Sequence, residues 1–158
     1  MYRVGIGFDS HRLIEGRALV LGGERIPHTA GLKGHSDGDV LCHAVTDAVL
    51  GAAAEGDIGR HFPDTDPRFE GANSLELLRQ AVAIVRTAGY AVENVDVVVI
   101  TELPKLAPHV DRIRASLAGA LGVLPDAVSV KGKTNEGMGE VGRGEAMAAH
   151  AVALLRRL

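Results

Sequence analysis

Hydrophobic residues recur at every second position near the start of the chain. Val4, Ile6 and Phe8 stand out in YRVGIGF, residues 2–8, and a period of two predicts a strand. ALVLGGERIP, residues 18–27, reads as a hairpin with Gly22 and Gly23 near its turn. The polar stretch GHSDGDV then leads into LCHAVTDAVLGAAAE, and residues 39–55 predict a helix with Ser36 or Asp37 as N-cap. Residues 55–72 carry Pro63, Pro67 and three glycines; a loop this long within a compact domain is usually functional. Asn73 and Glu76 have capping-box spacing, and Leu75, Leu78, Val82 and Val85 repeat at helical intervals up to Gly89. The β-branched run at 94–100 predicts a buried strand, Pro108 opens a helix that ends near Leu121 and Gly122, and residues 126–133 predict a further strand. The last segment, AMAAHAVALLRRL, is ambiguous: its alanines favour a helix, yet Met147, Ala149, Ala151 and Ala153 would also form one face of a strand. This order implies a two-layer α/β sandwich with helices on one face of a mixed sheet.

Composition narrows the picture. The chain is 46% hydrophobic but only 3% aromatic, so the core must be built from Ala, Val, Leu and Ile. At 158 residues it fits one domain, residues 1–158, large enough to bury a core without disulfides. A net charge of −3 gives no broad attraction for nucleic acid or anionic lipid. One cysteine, Cys42, allows no intrachain disulfide. With neither a signal-like start nor an apolar run of spanning length, the expected location is cytoplasmic.

The chemistry-bearing residues cluster. Asp9 and His11 lie two apart at the end of the first strand, so their side chains share a face. Asp39, His43 and Asp47 fall at i, i+4 and i+8, a row of ionisable groups along one helical face. A solvated face would also suit that row. If His43 meets Asp9 and His11, they form a two-histidine, one-carboxylate set that leaves a coordination position open for chemistry. Cys42 lies about 100° around the helix from His43 and reads as a small core residue. HSDGD, residues 35–39, offers an imidazole, a hydroxyl and backbone N–H groups at a helix start, where anions are favoured. DIG (57–59) and FPDTDP (62–67) add acceptors, and KGKTNEG supplies Lys131, Lys133 and Thr134 without Walker spacing. His28, His61, His109 and His150 lack partners at metal spacing.

With GFDSHRL, GHSDGDVLCHAVTDAVLGAAAEGDIGRHFPDTDP, LPK and KGKTNEG in this order, the chain closely resembles the 2-C-methyl-D-erythritol 2,4-cyclodiphosphate synthases over essentially its whole length. The resemblance implies an α/β (α+β) homotrimer whose two-layer sandwich holds a mixed four-stranded sheet, with the C-terminal segment as a strand, plus a small β-hairpin. It implies zinc or another divalent cation on Asp9, His11 and His43, and a second ion, magnesium or manganese, on the substrate diphosphate. His35 and Thr134 would stabilise the transition state. The methylerythritol part would lie near His35, Ser36, Asp57, Ile58 and Gly59 and the loop of Phe62, Pro63, Asp64, Thr65 and Asp66, close to the Asp9–His11 metal. Cytidine would rest on Thr101, Glu102, Leu103, Pro104, Lys105, Leu106 and Ala107 and on Lys133, Thr134, Asn135 and Glu136. Sites would lie between subunits.

The implied reaction is an internal phosphoryl transfer. The 2-phosphate of 4-diphosphocytidyl-2-C-methyl-D-erythritol 2-phosphate attacks the β-phosphorus, a ring closes and CMP leaves, as one step of the non-mevalonate route to isoprenoids. Neither a protein nucleophile nor a covalent intermediate is required. One position departs from the family pattern: Glu140 stands where a phenylalanine is common, while Arg143 is retained. In some members that aromatic and arginine line a trimer cavity holding an isoprenoid diphosphate, and an acidic residue puts such binding in question. Two rival readings remain from the residues alone, a metal-dependent phosphohydrolase releasing linear phosphates and a metal- or nucleotide-binding trimer without turnover.

Overall fold

A computed structural model describes all of residues 1–158. The first strand, β1 (Tyr2–Glu15), runs well past the predicted Phe8. It is followed by β2 (Leu19–Leu21) and β3 (Glu24–Ile26), which form the expected hairpin, and by β4 (Ala30–Leu32). Then come α1 (Val40–Ala52), the single turn α2 (Ile58–His61), α3 (Ser74–Thr87), β5 (Tyr90–Ile100), α4 (Val110–Leu121), β6 (Val128–Lys133), the short α5 (Gly139–Gly142) and β7 (Ala146–Arg157). The main sheet has the order β4-β1-β7-β5-β6. Only β5 and β6 are parallel; β1 with β7, β5 with β7 and β1 with β4 are antiparallel. The sheet is thus mixed, and its four long strands are the expected ones. The three-residue β4 adds a fifth at the edge, pairing Leu13 with Leu32 beyond the predicted end of β1.

The C-terminal segment is a strand despite its alanines. It lies between β1 and β5, and Met147, Ala149, Ala151 and Ala153 are all buried while His150 and Val152 face outward. Tertiary pairing on both edges outweighs a helix propensity of only tenths of a kcal/mol per residue. The small residues serve packing, because α1 crosses directly over β1 and β7. Gly5 and Gly7 make that approach feasible: a Cβ on Gly5 would sit 2.0 Å from the Ala48 carbonyl oxygen, and one on Gly7 1.8 Å from that of Ala44.

Odd-numbered residues of β1 therefore face the helices and even-numbered ones face away. On that far side only the short α5 lies near one end of the sheet, beside Phe8, Ser10 and Ala148, and Tyr2, Val4, Ile6, Phe8 and Val152 are exposed, Ile6 at 73%. Scattered exposed apolar residues are ordinary, but a contiguous row on one sheet face marks an interaction surface. No helix is long and apolar enough to cross a membrane.

One sequence expectation needs correction at α1. Its N-cap is Asp39, not Ser36 or Asp37. The loop 55–72 is not structureless: Asp57 caps α2, and Asp66 caps a 3-10 turn at Pro67–Phe69. At α3 the predicted cap holds, with the Asn73 side chain accepting from the backbone N–H groups of Leu75 and Glu76, and Gly122 ends α4 in a left-handed conformation.

Candidate metal centre and its two cavities

Asp9 and His11 project from the helix-facing side of β1 because both occupy odd positions. Close packing of α1 brings His43 onto them. His11 Nε2 lies 2.7 Å and His43 Nδ1 2.9 Å from Asp9 Oδ2, and the two ring nitrogens are 3.1 Å apart. Ligand atoms around a tetrahedral zinc ion with bonds of about 2.0–2.1 Å would be about 3.3 Å apart. The donor set fits a divalent cation in chemistry and spacing, and its three candidate ligand atoms lie within 4.8 Å of one another.

The electrostatics point the same way. Burial alone would raise the Asp9 pKa, but hydrogen bonding and attraction to His11 and His43 bring it down to about 2. Burial would lower His43, yet Asp9, with the charges of Asp39 and Asp37, pushes it above the ordinary histidine value. The pocket favours a positive charge between these groups, whether a proton or a metal ion.

The row predicted on α1 divides into three roles. Asp39 is fully buried and turned away from the centre. Its carboxylate accepts from the backbone N–H groups of Gly22, Gly23 and Cys42, tying the β2–β3 hairpin to the start of α1. Burial raises its pKa, only partly offset by those N–H groups. A row at i, i+4 and i+8 presumes three helical residues, whereas a cap residue swings its side chain back over the first turn. Asp47, one turn beyond His43, accepts from the Ile58 backbone N–H at 2.7 Å and so fixes the start of α2 rather than a metal ligand. Burial and the neighbouring charges of Asp57 and Asp9 raise its pKa against that hydrogen bond. Cys42 is buried core, and burial with the Asp39 charge pushes its thiol well up.

A cavity of about 440 Å³ opens beside the triad. It is lined by Asp9, His11, His35, Ser36, His43, Asp47, Ile58, Gly59, Phe62, Pro63 and Asp64, among others. His35 is held by its Nε2, 3.0 Å from the Asp66 carbonyl oxygen. Asp57 and Asp66 spend their carboxylates on the turns they cap, at Arg60 and Arg68; Thr65 does not line the cavity. Arg17, which sequence reasoning missed, donates to the Gly34 and Ser36 carbonyl oxygens and secures the loop carrying His35. Nothing in its local sequence marks it.

The second group of predicted residues forms a separate cavity of about 240 Å³, lined by Thr101, Glu102, Pro104, Lys105, Leu106, Ala107, Lys133 and Thr134 with Val110 and Gly132. The Glu102 carboxylate accepts from the Asn135 and Gly137 backbone N–H groups and joins the two segments. The Thr101 hydroxyl donates to the Leu103 carbonyl oxygen, while the Leu103 side chain is exposed. Asn135 and Glu136 flank this cavity without lining it, and Thr134 lies within reach of Glu136. Arg143 lines neither cavity; it bonds Glu145 at 2.9 Å and stands 3.9 Å from Glu140.

His35 and Thr134 are thus in different cavities of one chain. Asp9 pairs with Ala149, Ala149 with Val99, and Val99 with Gly132. The two cavities lie on one transverse row of the sheet, three strand spacings or about 14 Å apart.

Known proteins match this arrangement along the full chain. The YgbB family pattern covers residues 2–156. A 2-C-methyl-D-erythritol 2,4-cyclodiphosphate synthase of Laribacter hongkongensis is 60% identical over 154 residues, 98% of this chain and 95% of that protein. The synthase of the same name from Dechloromonas aromatica is 57% identical over 157 residues, 99% of this chain and 98% of that one. Among solved structures, the bifunctional IspDF of Campylobacter jejuni superposes with a TM-score of 0.96 at 44% identity; the match covers all of this chain but only 43% of that larger protein. A CDP-bound form of a 2C-methyl-D-erythritol-2,4-cyclodiphosphate synthase superposes at 0.90 with 42% identity, covering 98% of this chain and all of that one. With sequence and fold in agreement from end to end, this chain belongs to the YgbB family.

Proposed function

We infer that this chain converts 4-diphosphocytidyl-2-C-methyl-D-erythritol 2-phosphate into 2-C-methyl-D-erythritol 2,4-cyclodiphosphate and CMP, acting as a metal-dependent phosphorus–oxygen lyase in non-mevalonate isoprenoid precursor synthesis. The observation that carries the reading is the Asp9–His11–His43 triad opening onto a cavity, in a chain 57–60% identical to synthases of that name. In the reaction, an oxygen of the 2-phosphate forms a bond to the β-phosphorus. The bond from that phosphorus to the oxygen bridging it to the α-phosphate breaks, and the electron pair leaves with CMP. Both reacting groups are anions, so repulsion and the entropy of ring closure make up much of the barrier.

The residues divide that work. Asp9, His11 and His43 would hold zinc, which when bound supplies Lewis-acid polarisation of the β-phosphate. His35, held by the Asp66 carbonyl oxygen, and Ser36, on the loop secured by Arg17, face the cavity where the phosphates would sit. The Ile58 and Gly59 backbone, set by Asp47, and Asp64 offer hydrogen-bonding groups to the polyol. Lys133 and Thr134 sit with the turn 101–107 in the second cavity, which we assign to the cytidine diphosphate; a relative solved with CDP bound supports a ligand of this class. A second divalent ion, magnesium or manganese, would accompany the diphosphate and offset its charge.

The two half-sites, the row they share and the bare apolar face of β1 and β7 together support a homotrimer of 158-residue single-domain subunits. One subunit would give the metal and its neighbour the nucleotide pocket. Phosphorus NMR of the substrate with purified protein, zinc and magnesium tests the activity. Cyclic diphosphate and CMP in equal amounts are expected, and His43→Ala should reduce turnover by at least about a thousandfold. Linear phosphates would instead favour a hydrolase, and unchanged substrate a binding protein.

A further inference from the structure

The far side of the His43 ring is as closely held as the near side. Ser74, first residue of α3 and 1% exposed, places its Oγ 2.8 Å from His43 Nε2. That hydroxyl donates to Asp37 Oδ1, and the Ser74 backbone N–H donates to Asp37 Oδ2 at 3.0 Å. The Ser36 hydroxyl completes the cluster, 3.0 Å from His43 Nε2 and 3.2 Å from Ser74 Oγ.

Hydrogen-bond valence fixes the direction of this chain of contacts. An ionised carboxylate only accepts, and a serine hydroxyl has one proton to give. Since Ser74 gives its proton to Asp37, its remaining lone pairs face His43 Nε2, which must carry a hydrogen. With that hydrogen held on Nε2, Nδ1, which faces Asp9 and His11, is the nitrogen whose proton a metal displaces and whose lone pair then ligates. We propose that Ser74, anchored by Asp37, is a positioning residue that fixes the His43 ring orientation so that Nδ1, and not Nε2, binds the metal. The proposal rests on the metal reading of the triad. It extends that reading to two residues outside the ligand set, in keeping with the rule that a partner on the second ring nitrogen sets a histidine ligand's orientation and basicity. Ser74 and Asp37 lie on different elements, so the relay also pins the start of α3 to the loop that enters α1.

The test uses full-length protein with ¹⁵N-labelled histidine. Zinc affinity is measured by chelator competition, and the ligating nitrogen is read from ¹¹³Cd–¹⁵N couplings after cadmium substitution. In the wild type the coupling from His43 should come from Nδ1 alone. Ser74→Ala keeps the backbone N–H bond to Asp37 and removes only the hydroxyl. It should weaken zinc binding by about tenfold to a hundredfold and spread the cadmium coupling over both ring nitrogens, with metal-free Tm little changed. Zinc affinity within about twofold of wild type with Nδ1 coupling intact, or wild-type coupling through Nε2, would overturn the relay while leaving the metal site standing. A wild-type protein that takes up no zinc would overturn both. If Ser74→Ala does not fold, the wild-type coupling together with Asp37→Asn, expected to weaken zinc binding less than the serine change, decides the matter.

Discussion

His43 is the residue on which packing and chemistry converge, and its protonation gives a measurable signature. In the metal-free protein its pKa lies above the ordinary value and that of Asp9 lies at about 2. A raised folded-state pKa contributes stability that is full below the unfolded value and lost as pH rises through the folded one. The lowered Asp9 contributes above its unfolded value of 3.8 and is lost as pH falls towards about 2. The apo pair is therefore most stabilising in mildly acidic solution. Zinc must displace the His43 proton, so the rise in Tm on adding zinc should grow between about pH 5 and about pH 8. A zinc-induced shift that is flat or falls with pH would contradict the triad as the binding site. At this scale, Asp9 and His11 were legible because strand alternation needs only their spacing. Asp39 was misread because a cap and a first helical residue look alike in sequence. Ser74 and Arg17 were invisible because their partners lie 31 residues and 17–19 residues away along the chain.

Among the elements, the contact of α1 with β1 does most to build the metal centre. Gly7 lies directly under the Ala44 backbone, next to His43. Gly7→Ala should force the helix outward, costing about 1–3 kcal/mol of stability and weakening zinc binding more than a comparable change on a remote strand. Thermal unfolding and zinc titration of the same variant check both effects. An unchanged Tm and zinc affinity would mean that α1 moves without consequence for the triad. Helix boundaries were readable from capping and periodicity at α3 and α4. The C-terminal strand was not readable from its residues, since alternation and alanine content argue in opposite directions. Its place between β1 and β5 decides in favour of the strand, a non-local fact that no window of sequence contains.

For the whole molecule, the separation of the two cavities leads to a subunit-mixing experiment. A preparation of His43→Ala and one of Thr134→Ala should each be nearly inactive. Refolded or exchanged together, they should regain a substantial part of wild-type turnover, because some mixed sites would join an intact metal half to an intact nucleotide half. Activity that stays at the level of the separate variants would place both halves within a single chain. That the motifs fall into two groups was clear from sequence, but their distribution over two cavities on one transverse row was not, because strand order is set by the sheet as a whole.

The first strand carries two messages interleaved by parity. Odd positions 5, 7, 9 and 11 provide the helix seat and the metal ligands, and even positions 2, 4, 6 and 8 form the bare apolar face. Inserting or deleting one residue between Tyr2 and Phe8 would invert part of the strand and exchange the two sets, putting apolar bulk under α1 and glycine on the outer face. Length variation should therefore be excluded from this segment even where substitution is tolerated. Reading frame within the strand, as distinct from residue identity, is what keeps the exposed apolar face and the Asp9–His11–His43 cluster on opposite sides of the sheet.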